Sequence, residues 1–135
     1  MKAGKRQIYI TDSDMKRLRA LVLSQDTQNS THNKLLQDLN NELDRAIVIA
    51  SENIPNGVVT MNSQIHLTDL DKGETIVCSL VFPGKADFEK NRISILAPVG
   101  AAIIGCKVND ILDFEVPSGR TRLRIDTILY QPESV

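Results

Sequence analysis

The 135-residue sequence contains no Trp, and aromatic residues make up 4% of it. That scarcity argues against a surface that stacks bases on aromatic rings, as single-strand nucleic-acid binders do. An excess of one charge is missing too: 16 Lys and Arg against 17 Asp and Glu leave a net charge of −1. Binding to DNA or RNA rests largely on phosphate neutralisation, so no direct nucleic-acid partner is expected. The two cysteines, Cys78 and Cys106, lie in apolar surroundings. They read as buried free thiols, not as a disulfide framework, which suits a reducing cytoplasm. No apolar run approaches the roughly 20 residues of a membrane span. No apolar core follows the basic N-terminal residues, so no signal peptide is expected.

Catalytic signatures are equally sparse. There is no G-x-S-x-G elbow, phosphate-binding loop or dinucleotide fingerprint. Gly100 and Gly105 are not followed by Lys-Ser or Lys-Thr. His32 and His66 fall in different halves, without a Cys, His or carboxylate pair at ligand spacing, and read as surface or turn histidines. Cys106 beside Lys107 reads as an ordinary packed thiol. Asp69, Asp71 and Glu74 cluster around a turn and are expected to face solvent. No metal, cofactor or catalytic residue is expected from the residues alone.

What is present is the balance of a globular protein, 41% hydrophobic and 24% charged. The length allows one domain, or a small domain with an appendage. The first part carries a helical period. After the stub Ile8-Tyr9-Ile10, Thr11 stands as an N-cap with Asp14 three positions on. Met15, Leu18, Leu21 and Val22 then predict a helix over about 12–24. The polar run SQDTQNST, 24–31, predicts a turn whose tip is Gln25, Asp26, Thr27, Gln28 and Asn29. Leu36, Leu39, Leu43, Ala46 and Ala50 predict a second helix over about 31–50, with Asp38, Glu42 and Arg45 on its solvated side. Two helices joined this closely imply an antiparallel hairpin.

Pro55 and the pair Asn56-Gly57 mark a boundary, which divides the chain at 1–54 and 55–135. Beyond it the period falls to two. Val58–Met61 with Gln64–Thr68, then Glu74–Phe82, Arg92–Leu96, Ile111–Val116 and Arg120–Tyr130 are expected as strands of a small antiparallel sheet. A turn is expected at 71–73 and a polar loop at 83–91. Between two of the strands lies ILAPVGAAIIGCKVND, 95–110. Pro98 suits the first turn of a helix and Gly105 its C-cap, with Ile103 and Ile104 facing the sheet. The fold class is therefore α+β. Arg120, Arg122 and Arg124 share one face of the last strand. They read either as a solvated face balanced by Asp113 or Glu115 opposite, or as a basic patch for an acidic partner.

The run RISILAPVGAAIIGCKVNDILDFEVPSGRTRLRIDTI, 92–128, resembles the C-terminal domain of the Gre transcript-cleavage factors. So does VVTMNSQIHLTDLDKGE, 58–74. LNNELDRA at 39–46, APVGAAIIG at 97–105 and the ending YQPE resemble the short-armed Rnk-type branch of that superfamily. The resemblance implies an FK506-binding-protein-like module carrying a short coiled-coil hairpin. It implies a partner, RNA polymerase, engaged at the rim of the secondary channel in competition with other channel factors. Effects on nucleoside diphosphate kinase would then be indirect. It assigns polymerase docking to Leu96, Ala97, Pro98, Val99, Gly100 and Ala101. Gre domains usually carry an Arg or Lys after the loop's Gly or Ala, where Ala101 and Ala102 stand here. The Gre tip holds a catalytic Mg²⁺ with an acidic pair; here Asp26 is the single carboxylate in 24–31, so no transcript cleavage is expected. The protein is expected to be a monomer and not an enzyme. The alternatives are a peptidyl-prolyl isomerase, suggested by the fold alone, and an interaction module for another protein.

Overall fold

Strand β1 (Tyr9–Thr11) runs directly into helix α1 (Asp12–Ser24). The junction is made by Thr11, whose Oγ1 accepts the Asp14 N–H at 3.0 Å, so one residue ends the strand and caps the helix. A computed structural model of the chain describes residues 7–24, 30–116 and 119–131. The expected hairpin tip, Gln25, Asp26, Thr27, Gln28 and Asn29, lies outside the described residues.

Helix α2 spans Ser30–Arg45. Leu18 of α1 and Leu36, Leu39 and Leu43 of α2 are all buried. Arg19 ties the two helices together, reaching Asn40 Oδ1 at 2.5 Å and Asp44 Oδ1 at 2.9 Å. The sequence reading carried α2 on to residue 50, and here the structure differs. Ile47–Ile49 leaves the helix and forms strand β2, parallel to β1 with Tyr9 opposite Ile47. Three β-branched side chains in succession lose little in a strand, and β1 offers main-chain partners; the Ile47 N–H reaches the Ile8 carbonyl at 2.9 Å. Ala50 therefore lies outside the helical stripe. Glu42 also differs from expectation. It is buried, not solvated, and Arg45 pairs with it at 2.7 Å.

The second part is a five-stranded sheet in the order β5-β4-β3-β7-β6. Its strands are β3 (Gln64–Asp69), β4 (Glu74–Val81), β5 (Arg92–Ser94), β6 (Ile111–Val116) and β7 (Gly119–Tyr130). The expectation of an antiparallel sheet needs correction, because β5 runs parallel to β4. The intervening chain, expected as a loop, folds as two 3₁₀ turns, Pro83–Lys85 and Phe88–Lys90, and returns to the same end of the sheet. Residues 58–61 also do not form a strand. Val58 makes only a bridge to Lys107. Beyond it Thr60 and Ser63 close a tight turn: Ser63 Oγ accepts the Thr60 N–H at 2.9 Å, and Asn62 takes the left-handed conformation with φ 68.

Helix α3 spans Pro98–Ile103, with Pro98 in the first turn. Ile103 and Ile104 are buried as expected. Gly105 has φ 78, and a Cβ there would lie 2.8 Å from Ile8 Cβ and 3.0 Å from the Tyr9 carbonyl oxygen. The glycine thus serves two needs: it ends α3 in a left-handed turn, and it lets β1 approach closely enough for the Tyr9 N–H to reach the Gly105 carbonyl at 3.1 Å. The core is one cluster. It runs from Ile8, Leu18 and Leu39 through Ile95 and Ile103 to Ile65, Leu80 and Ile125 of the sheet.

Candidate functional site

The segment between β5 and α3 is built on Ser94. Its Oγ accepts the Leu96 N–H and its carbonyl accepts the Ala97 N–H, each at 3.0 Å. The first turn of α3 then folds back over that carbonyl. A Cβ on Gly100 would lie 2.2 Å from the Ser94 oxygen, so only glycine allows this approach. The consequence for the six residues singled out in the sequence is a division. Leu96, Gly100 and Ala101 are buried and hold the turn in place. Ala97 and Val99 are half-buried, and Pro98 is exposed. The surface this segment presents is a small apolar step formed by residues 97–99.

The helical arm is fixed to the β-module by a residue the sequence reading had used only as a helix-dipole partner. Asp14 is 1% exposed. Its Oδ2 accepts the Met61 N–H at 3.0 Å, and Arg17 pairs with its Oδ1 at 2.9 Å. The Arg17 guanidinium also lies 5.2 Å from the centre of the Phe82 ring. A second tie, from α1 to the segment just before the boundary, lies nearby. Asp12 Oδ1 accepts the Ser51 hydroxyl at 3.0 Å and the Ser51 N–H at 3.2 Å. The Ser51 hydroxyl, with the Ser13 N–H, holds the Asp12 carboxyl below the usual carboxylate range. Neither tie is visible in the local pattern, since the partners stand 47 and 39 positions apart.

The outer face of the sheet resolves the two readings of the arginine row. Arg120 pairs with Asp113 at 2.9 Å, Arg122 with Asp71 at 3.1 Å and Arg124 with Asp126 at 2.7 Å. Each guanidinium has a carboxylate, which is the balanced solvated face. Asp71 is exposed, as expected, and also accepts the Arg122 N–H at 2.8 Å. That N–H, together with the guanidinium, lowers its pKa from the ordinary 3.8. His66 has a partner that spacing could not show. A register shift of β7 against β3 between His66 and Leu67 brings Asp126 within 2.8 Å of His66 Nδ1 and 2.5 Å of Thr68 Oγ1. Burial pushes the Asp126 carboxyl up, but hydrogen bonds from Thr68, Arg124 and His66 outweigh it and the net direction is down. Among the described residues no group of three or more His, Cys, Asp or Glu is placed to hold a metal ion. No described helix is long and apolar enough to cross a membrane.

Comparison with known proteins adds family matches to these observations. Residues 54–130 match the family model of the transcription elongation factor GreA/GreB C-terminal region, and residues 6–49 match the Rnk N-terminus. The chain is 43% identical over 97 residues to the regulator of nucleoside diphosphate kinase of Escherichia coli K12, covering 71% of each protein. It is 37% identical over 98 residues to the transcription elongation factor GreA of Clostridium botulinum, covering 73% of this chain and 61% of that one. Among solved structures, the prokaryotic transcription elongation factor GreA/GreB from Nitrosomonas europaea superposes with a TM-score of 0.75 at 35% identity. That match covers 93% of this chain and all of the other. A helical hairpin tied by Asp14 to a mixed sheet, and family matches to both parts, lead to one conclusion: the chain belongs to the GreA/GreB family of transcription factors, with the Rnk form of N-terminal region.

Proposed function

We propose that this protein is a non-catalytic transcription regulator that binds RNA polymerase at the rim of the secondary channel and competes there with Gre-type factors. The observation that carries the reading is the step at Ala97, Pro98 and Val99, held by the Ser94 hydrogen bonds beneath a glycine that admits no side chain. The β-module, residues 55–135 and FK506-binding-protein-like in this reading, anchors through that step. The hairpin of 1–54 then partly occludes the channel. With 13 residues in α1, the first arm extends about 20 Å at 1.5 Å per residue, too short to reach a deeply set active centre. One tip carboxylate, Asp26, is a poor holder of a divalent ion that needs several oxygen ligands. The protein acts as a cytoplasmic monomer, and any change in nucleoside diphosphate kinase follows from altered transcription.

The test is competition. A Gre factor cleaves the transcript in a backtracked complex while this protein is titrated in. The expected result is a dose-dependent fall in cleavage, with no cleavage by this protein alone. Pro98→Asp should relieve the inhibition without lowering stability, because the side chain is exposed and proline contributes no N–H to lose. Full inhibition by Pro98→Asp would remove the anchor assigned here. No inhibition and no direct binding by the wild type would remove the polymerase as partner.

A further inference from the structure

Among the described large apolar side chains, one is more exposed than any other. Phe88 is 95% exposed. It does not sit on a slack loop. The turn that carries it is braced at every step: Asp87 Oδ1 accepts the Glu89 N–H at 3.1 Å, and the Asp87 carbonyl accepts the N–H groups of Lys90 at 3.1 Å and Arg92 at 2.9 Å. The Phe88 carbonyl accepts the Asn91 N–H at 3.1 Å, and Asn91 closes the turn in the left-handed region with φ 55. The Asn91 carbonyl in turn accepts the Ser79 N–H at 2.9 Å, which welds the turn to the edge of the sheet. An aromatic held outward by a rigid turn loses little conformational freedom on binding, and such side chains dominate interface energetics.

The surroundings indicate the partner's chemistry. Lys85, Lys90 and Arg92 are exposed, and none is ion-paired among the described residues. Asp87 and Glu89 are the two anions of this stretch, so the three cations leave it with a net charge of +1. A complementary surface is an apolar pocket with an acidic border. The turn precedes the step at 97–99 by a short stretch of chain. They are separated by strand β5, whose three residues span about 10 Å. A typical protein interface buries about 800 Å² per partner, a patch roughly 30 Å across, so one footprint can cover both.

We propose that Phe88 is a second anchor on RNA polymerase, inserting into an acidic-bordered apolar pocket beside the contact made by residues 97–99. This rests on the polymerase reading given above. The test uses the full chain and purified core polymerase, with dissociation constants measured at two salt concentrations for wild type, Phe88→Ser, Pro98→Asp and the charge reversal Lys90→Glu. Phe88→Ser is expected to bind about tenfold more weakly while its thermal midpoint stays at the wild-type value, since so exposed a ring packs against nothing. Lys90→Glu is expected to weaken binding more at low salt than at high salt. Wild-type affinity in Phe88→Ser, with Pro98→Asp impaired, overturns the second anchor and leaves the polymerase reading standing. Absence of wild-type binding overturns both.

Discussion

Replacing Gly100 with alanine sets local preference against tertiary structure. Gly100 lies inside α3, where alanine is favoured over glycine by about 1 kcal/mol on helix propensity. A reading of the sequence alone therefore expects a gain. The structure expects a loss. The new Cβ would stand 2.2 Å from the Ser94 oxygen and 3.0 Å from both the Ser94 carbonyl carbon and Ile95 Cα. All three are main-chain atoms, and none can swing aside. Ser94 pairs with Val81 in the sheet, and its carbonyl holds the Ala97 N–H. The clash is relieved only by lifting α3 from β5. Overpacking of this kind costs up to about 3 kcal/mol. Set against the propensity gain, the net loss is roughly 2 kcal/mol. With a urea m-value of about 2 kcal/mol/M, the unfolding midpoint should fall by about 1 M. Gly84→Ala is the control, because a Cβ there meets nothing within 4 Å; it should shift stability by no more than about 0.5 kcal/mol. A Gly100→Ala protein as stable as wild type, or more so, would refute the reasoning.

Three further outcomes follow from other contacts. Asp14→Ala leaves the buried Met61 N–H without its acceptor and should cost about 1–3 kcal/mol, read as a lowered urea midpoint and faster amide exchange at Met61; an unchanged midpoint would deny Asp14 its place in joining arm to module. Asp71 is held below its ordinary pKa of 3.8 by Arg122, and a lowered folded-state pKa adds stability above the unfolded value that disappears as pH falls through the folded one. Asp71→Asn should therefore be less stable than wild type near neutrality and equal to it in strong acid, and a difference that persists in acid would exclude this linkage. Burial pushes the Cys78 thiol up to about 11, so a disulfide reagent at pH 8 should modify it slowly in the folded protein and quickly in urea; rapid native-state modification would contradict the burial.

Local patterns alone decided a good deal. The start and end of α1, the leucine stripe of α2, the turn at 71–73, the final hairpin and the burial of Ile103 and Ile104 all follow from local patterns. In each case the signal is a periodicity or a cap set by neighbours a few residues away. The family was legible for the same reason, since runs such as APVGAAIIG are contiguous. The structure decided what depends on partners distant in the chain. Residues 47–49 could have continued a helix, and became a strand because β1 stands beside them. Residues 92–94 could have paired antiparallel, and run parallel because the two turns at 83–90 return the chain to the same end of β4. Glu42 read as a solvated carboxylate and Asp14 only as a helix-dipole partner, yet both are buried, Glu42 paired with Arg45 and Asp14 bonded to the Met61 N–H. Within the segment 96–101, the resemblance singled out six apolar residues without distinguishing them. Ser94 beneath them separates the three that face inward from the three that present a surface. Side-chain spacing along a chain records which way a residue can face in a regular element, whereas close approach of two backbones, as at Gly100 and Gly105, exists only once both are in place.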